Sequence, residues 1–144
     1  MAVARRSRLI GAAPQDIWEL IADPEHMPRW WPGVTRMEGV TGDRFTQVLV
    51  TSRGRPVRAD FRVSGSEAPR RRTWEQEVDG TPFERVLNES IVTVELDPRS
   101  EGTEVTITQR QKLRGYSRTG GFLLRRATAR KLDEALEGLE RILG

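Results

Sequence analysis

The chain of 144 residues contains no cysteine, one histidine (His26), one tyrosine (Tyr116) and only two lysines, Lys112 and Lys131. The lack of cysteine excludes disulfides and thiolate metal sites. A single histidine excludes metal sites built from several histidines and allows a Ser/His/Asp arrangement only around His26. The sequence also lacks a Gly-rich phosphate loop and a dinucleotide fingerprint. It therefore predicts no metal, no cofactor and no catalytic residue.

Long apolar runs are also missing from the sequence. None approaches the roughly 20 residues of a membrane span, and the N-terminus lacks the apolar core of a signal peptide. We therefore expect a cytoplasmic protein without stable membrane insertion. The length is typical of one domain, so residues 1–144 are expected to form a single domain. A monomer and a homodimer both agree with the sequence.

The charge balance is modest despite a basic isoelectric point. The net charge is +3 while the sequence pI is about 10.1, because nearly all basic residues are arginines, which do not deprotonate. Arginines cluster at 70–72 and at 125–130, with acidic residues nearby in sequence. A nucleic-acid interface would need a basic stripe with interleaved aromatics. We expect no nucleic-acid partner and interpret both clusters as solvated faces, with an anion- or nucleic-acid-binding patch as the alternative.

The last segment, Thr119 to Leu143, predicts one long amphipathic helix. Its apolar residues recur at three- and four-residue steps. They are Leu132, Ala135, Leu136, Leu139 and Ile142. Two shorter helices are predicted near the N-terminus. One begins at Pro14 and stops at Asp23-Pro24, and the other runs from Glu25 to Trp31.

Between these helices, apolar and polar residues alternate with the period of a β-strand. Val3 to Ile10 predicts a first strand. Turn signals divide the later region into Val34–Val40, Arg44–Ser52, Val57–Ser64, Arg72–Val78, Phe83–Leu96 and Thr103–Leu113. Both faces of the fifth of these are mixed, which predicts a β-bulge midway. Residues 97–102 are predicted to form a turn.

The predicted helix and sheet define the fold class. An amphipathic helix and a large antiparallel sheet must bury their apolar faces on each other. We therefore predict an α+β fold, in the order β-α-α-β6-α, with a curved antiparallel sheet of about seven strands wrapped on the C-terminal helix. A sheet curled in this way leaves a cavity between sheet and helix.

Several segments resemble the START-like (SRPBCC) superfamily. They are residues 10–18, 23–25 and 29–34, and the paired late strands around 94–98 and 102–106. Together they are similar to bacterial polyketide cyclase/dehydrase-type members over essentially the whole chain. The resemblance implies a helix-grip fold. It implies no single function, because the superfamily carries lipids, sterols and pigments, cyclises polyketides and includes regulatory proteins.

The covered face of the predicted sheet mixes apolar residues with amides. Gln47, Gln76, Gln109 and Gln111 are in phase with core positions. A buried amide group without a partner costs roughly 1–3 kcal/mol, so four of them favour a ligand pocket of mixed polarity. In the alternative interpretation, Gln47 and Gln111 lie at the sheet rim, while Gln76 and Gln109 bond each other or water.

Other candidate ligand-binding residues are aromatic, apolar or cationic. They are Trp31, Leu49, Phe61, Trp74, Tyr116, Phe122 and Arg126. Of the adjacent Trp30 and Trp31, either one packs beneath the short helices while the other shields the cavity end, or the pair forms an aromatic gate over the pocket. Trp74 is either simple core or a ligand wall. Arg126, one helical phase before the apolar stripe, is a candidate anchor for a carboxylate or phenolate, or else a solvent-facing residue.

These observations favour a protein that binds or transports a small hydrophobic or amphipathic molecule, such as a lipid or polyketide. The alternative, which the family resemblance implies, is a polyketide aromatase/cyclase-type enzyme using the same cavity. In that enzyme Gln76, Gln109, Tyr116 or Arg126 would polarise carbonyls and move protons. A regulatory module without ligand is the third interpretation.

Overall fold

A computed structural model of the protein describes residues 1–51, 53–115 and 118–144. The described strands are β1 (Ala2–Ile10), β2 (Val34–Glu38), β3 (Arg44–Val50), β4 (Pro56–Glu67), β5 (Arg71–Gln76), β6 (Leu87–Arg99) and β7 (Gly102–Leu113). The helices are α1 (Pro14–Ala22), α2 (Met27–Trp30) and α3 (Arg118–Leu143). Short 3-10 turns occupy Pro24–His26 and Pro82–Arg85.

All seven strands form one antiparallel sheet in the order β1-β7-β6-β5-β4-β3-β2. Strands β2 to β7 pair with their neighbours in sequence, whereas β1 pairs with β7 at the far edge. The chain therefore crosses the open end of the sheet once, between β1 and β2, and the two short helices occupy this crossing. The predicted α+β class and element order are confirmed.

Local sequence explains the break between the first two helices. Pro14 is at the start of α1, where its fixed φ suits the first turn and its missing N–H costs nothing. Asp23 precedes Pro24 and is extended, with φ −98° and ψ 108°, because a proline disfavours helical geometry in the residue before it. The Asp23 carboxylate then accepts a hydrogen bond of 3.0 Å from the Glu25 N–H and caps the following turn.

Helix α3 packs along β1, with further contacts to α2 and β7. Its buried residues include Leu132, Ala135, Leu136 and Leu139, as the apolar stripe predicts. Beside this stripe, Arg6 lies 3.5 Å from Asp133, and Arg8 lies 3.0 Å from Glu140. These partly exposed ion pairs link the second half of α3 to β1.

The backbones of α2 and α3 come into direct contact at Gly138. A Cβ atom at this position would lie 2.8 Å from the carbonyl oxygen of Trp30 and 2.9 Å from its Cα. Only glycine permits this approach. The contact fixes the end of α2, and with it Trp31, against the long helix.

The predicted strand Phe83–Leu96 is wrong at its start. Residues Pro82–Arg85 form a 3-10 turn, and the Thr81 hydroxyl caps it by accepting a hydrogen bond from the Phe83 N–H at 3.3 Å. Strand β6 begins only at Leu87, and its register shift lies between Leu87 and Glu89 rather than midway.

Other strand boundaries differ by a few residues. Strand β2 ends at Glu38 and β5 at Gln76, earlier than predicted. Strand β6 extends to Arg99, which shortens the predicted turn of residues 97–102. The chain re-enters the sheet at Gly102, whose φ of +144° and close approach to the Ile10 carbonyl oxygen both require glycine.

Candidate ligand-binding cavity

A cavity of about 320 Å³ lies between the sheet and α3. Its walls come from strands β3 to β7, from the residues that follow α2, from Phe83 of the 3-10 turn and from Lys131 of α3. Because strand side chains alternate between faces, every second residue of these strands points to the same side. The cavity lies between the sheet and the C-terminal helix, where the sequence predicts it.

Eight of the eleven predicted site residues line this cavity. They are Trp31, Gln47, Leu49, Phe61, Trp74, Gln76, Gln109 and Gln111. Further lining residues that the sequence analysis did not single out include Pro32, Ala59, Phe83, Ser90, Val92 and Lys131. A larger cleft, of about 690 Å³, lies between Met1, Leu113 and Arg118 and contains none of the eight.

Phe122 and Arg126 lie away from the cavity. Both are exposed, Phe122 to 53%. A helix turns by about 100° per residue, so Arg126 lies about 140° and Phe122 about 180° around α3 from the cavity-lining Lys131. The expectation that they face the cavity is therefore corrected. Tyr116 lies outside the described residues.

Two of the four glutamines are satisfied by neighbouring side chains. Gln47 is 2% exposed, and its Nε2 donates to the Met27 sulfur at 3.4 Å. The Gln111 Oε1 accepts a hydrogen bond of 2.8 Å from the hydroxyl of Thr128 on α3. Gln47 is therefore not a rim residue, and Gln111 links the sheet to the helix.

The other two glutamines leave polar atoms without partners. Gln109 donates through Nε2 to the Ser90 hydroxyl at 3.2 Å. Its Oε1 and the Nε2 of Gln76 are buried and find no hydrogen-bond partner among the described residues. The mutual hydrogen bond between Gln76 and Gln109, one part of the alternative interpretation, is therefore absent from the described residues. Each unpaired group costs roughly 1–3 kcal/mol, which a guest molecule with matching polar atoms would recover.

Aromatic rings form part of the apolar wall, together with aliphatic side chains such as Leu49 and Val92. The rings of Trp31 and Trp74 meet edge-to-face with centroids 5.7 Å apart, and those of Phe45 and Phe61 stack at 5.3 Å. Trp30 and Trp31 are both buried, and only Trp31 lines the cavity. The indole N–H of Trp74 has no acceptor within the described part of the chain.

Lys131 is the functional candidate that the sequence analysis missed. Its Nζ lies 5.1 Å from the centroid of the Trp31 ring, and burial lowers its pKa to about 8. It makes no ion pair with any residue that the structure describes. A signal existed, because Lys131 precedes Ala135 by four residues and so continues the apolar stripe toward the N-terminus.

The described residues contain no group of three histidine, aspartate or glutamate side chains that could hold a metal ion. His26 is only partly exposed, and its Nε2 lies 3.7 Å from a carboxylate oxygen of Asp23. Among the described helices, none is both long and apolar enough to cross a membrane.

Solved structures with the same fold superpose on the chain over nearly its whole length. A START superfamily protein from Mycobacterium smegmatis matches with a TM-score of 0.80 and 11% identity, over 99% of this chain and 97% of its own. The di-domain ARO/CYC protein BexL of the BE-7585A biosynthetic pathway matches with a TM-score of 0.79 and 24% identity, over 98% of this chain. StfQ, a di-domain ARO/CYC protein of the steffimycin biosynthetic pathway, matches with a TM-score of 0.78 and 13% identity, over 99% of this chain. The chain covers 46% of BexL and 50% of StfQ.

Identities below 25% establish the fold alone. The family is established by a family-level match of the sequence itself. The chain belongs to the family described as polyketide cyclase / dehydrase and lipid transport, which matches residues 1–144. No curated protein matches the chain.

Proposed function

We propose that the protein binds and carries a small hydrophobic or amphipathic molecule, such as a lipid or polyketide, in the cavity between sheet and α3. The observation that carries this proposal is the 320 Å³ hollow with aromatic walls and unpaired polar groups. Membership of a family that includes lipid transport supports it.

The size and lining of the cavity indicate the kind of guest. Ligand pockets typically measure about 300–1,000 Å³ and combine apolar walls with a few placed polar groups. The cavity is at the lower end of this range, which favours a compact ligand. Its Trp31, Phe61 and Trp74 rings suit an apolar body, and its amides suit a few carbonyl or hydroxyl groups.

A cavity-filling substitution tests the proposal. Ala59 is 2% exposed and lines the cavity, so Ala59→Leu should occupy the space of the guest. N-phenyl-1-naphthylamine, a neutral fluorophore that brightens in apolar surroundings, serves as the probe. We expect the wild type to bind it and Ala59→Leu to weaken binding at least tenfold, since the added side chain excludes the probe.

The matched control is Ala127→Leu, the same change at an exposed position of α3. It should bind the probe as the wild type does. A wild type that does not bind, or an Ala59→Leu variant that binds with wild-type affinity while folded, contradicts the proposal.

One observation favours aromatase/cyclase-type catalysis as a second candidate. Proton transfer needs a group that titrates near the working pH, and the lowered pKa of Lys131, about 8, places one at the cavity. Incubation with a poly-β-ketone analogue tests this candidate by the appearance of an aromatic product. Loss of product formation in Lys131→Met would support catalysis, and an unchanged analogue in the wild type would exclude it for that substrate class.

A further inference from the structure

Lys131 is unusual because none of the described residues neutralises its charge. The residues that line the cavity include no aspartate or glutamate within the described part of the chain. The Lys131 Nζ lies over the face of the Trp31 ring, 5.1 Å from its centroid, and this cation–π contact offsets only part of the cost of desolvating an ammonium group. The cavity therefore contains a positive charge whose counterion the described residues do not supply.

The other unpaired groups of the lining are mainly donors. Three buried polar atoms of the lining lack a partner among the described residues. Two are donors, the Nε2 of Gln76 and the Nε1 of Trp74, and one is an acceptor, the Oε1 of Gln109. Together with the ammonium of Lys131, the lining residues carry three donors and one acceptor without a partner among the described residues. A ligand rich in oxygen acceptors satisfies more of these groups than one rich in donors.

We propose that Lys131 is the anchor for an anionic oxygen of the ligand, a carboxylate, phenolate or enolate, while the apolar body of the ligand lies against Trp31 and Trp74. This inference rests on the proposed ligand-binding function and adds the chemical class of the ligand. Lys131, which lines the cavity, thus takes the place of Arg126 as the candidate anchor for an anionic ligand.

The binding strength of this anchor depends on pH because the Lys131 ammonium is buried without a counterion among the described residues. Across the cavity, β3 to β7 and the residues after α2 present no titratable side chain among the described lining residues. On α3 itself the neighbouring charges are Arg130, Asp133 and Glu134, of which Asp133 pairs with Arg6. The ammonium form of Lys131 is the binding form, and burial lowers its pKa to about 8. Affinity for a carboxylate should therefore fall as the pH rises above about 8.

The experiment uses a matched pair of ligands, 2-naphthoate and the neutral 2-naphthylmethanol, each displacing N-phenyl-1-naphthylamine from the intact protein. At pH 7 we expect the wild type to bind the carboxylate about tenfold to hundredfold more tightly than the alcohol, as for a charge-assisted hydrogen bond in a desolvated site. At pH 9.5 the carboxylate should bind at least about tenfold more weakly than at pH 7, since most Lys131 is then neutral. The alcohol should show little change.

Three variants separate the anchor from general electrostatics. Lys131→Met removes the charge at similar length and should abolish the preference for the carboxylate. Lys131→Arg keeps a charge that does not titrate, so it should retain the preference at pH 9.5. Arg126→Met removes an exposed cation outside the cavity and should leave the preference unchanged.

The outcomes also distinguish the two proposals. A wild type that binds the fluorophore but does not prefer the carboxylate, or a Lys131→Met variant that keeps the preference, overturns the anchor alone. A wild type that binds none of the three compounds overturns the ligand-binding function itself.

Discussion

Gln76 and Gln111 are both glutamines of the cavity wall, yet they have different surroundings. Gln111 has a partner on α3, the hydroxyl of Thr128, whereas the Nε2 of Gln76 has none within the described residues. Removing a satisfied amide leaves its partner unpaired, while removing an unsatisfied amide relieves a cost. The two residues should therefore respond in opposite ways to the same substitution.

Replacing Gln76 with leucine should weaken binding of 2-naphthylmethanol while leaving the free energy of unfolding unchanged or raised by up to about 1 kcal/mol. Gln111→Leu should lower the free energy of unfolding by about 1–2 kcal/mol because the Thr128 hydroxyl loses its acceptor. Urea denaturation and probe displacement measure both effects. Equal destabilisation by the two substitutions would show that Gln76 is satisfied in the folded protein.

Lys131 should make the free energy of unfolding depend on pH. Its pKa is about 8 in the folded protein against 10.5 in an unfolded chain. Between these values the unfolded chain binds more protons, so the free energy of unfolding rises with pH. Below pH 8 the buried ammonium costs roughly 3 kcal/mol, which Lys131→Met avoids.

We therefore expect Lys131→Met to be more stable than the wild type at pH 7, with most of this advantage lost by pH 10. Urea denaturation of both proteins at the two pH values measures the difference. An advantage that does not change with pH would mean that Lys131 is solvated.

For the strands of the cavity, the sequence predicts which side chains face the cavity. For α3 it does not identify Lys131. On a strand the period of two assigns each side chain to one of two faces, so Gln47, Gln76 and Trp74 could be placed together from sequence alone. On a helix the face depends on the rotational phase, and a step of five residues changes it by about 140°. Periodicity alone therefore does not decide whether Arg126 or Lys131 faces the cavity.

The contact between α2 and α3 determines where Trp31 meets the cavity. It depends on Gly138, where any side chain would contact the Trp30 backbone. Backbone atoms cannot rotate away as a flexible side chain can, so α2 or α3 would have to shift. Such a shift would also move Trp31 relative to Lys131.

Gly138→Ala should therefore lower the free energy of unfolding by about 1–3 kcal/mol, typical of overpacking. The control is Gly121→Ala in the same helix, where a Cβ meets no described atom within 4 Å. That change should stabilise the protein by up to about 1 kcal/mol through helix propensity. Thermal denaturation distinguishes the two, and similar effects of both substitutions would contradict the close contact.

The order of helices and strands followed from periodicity and turn residues, and the error at the start of β6 has a local cause. Thr81-Pro82-Phe83-Glu84 combines a cap residue, a proline at the first helical position and a glutamate three residues after the cap. These signals indicate a helical turn, which the apolar residues Phe83, Val86 and Leu87 obscured. The close approach at Gly138 depends on tertiary packing and could not be predicted from local sequence.

The fold as a whole ties ligand binding to stability, because the cavity exists only when sheet and α3 are assembled. A ligand that binds the folded state alone stabilises it by about 2.7 kcal/mol at a concentration 100 times its Kd. For a protein of this size, that corresponds to a rise in Tm of roughly 5–10 °C. We expect 2-naphthoate to produce this shift in the wild type and a much smaller one in Ala59→Leu. Equal shifts in both proteins would place the ligand outside the cavity.

The most direct test is a crystal structure of the protein with 2-naphthoate. The account predicts electron density for the naphthalene rings between Trp31 and Trp74, with the carboxylate within hydrogen-bond distance of the Lys131 Nζ. A cavity filled by protein side chains, or density for the compound only at an exterior position such as the exposed Phe122, would contradict it.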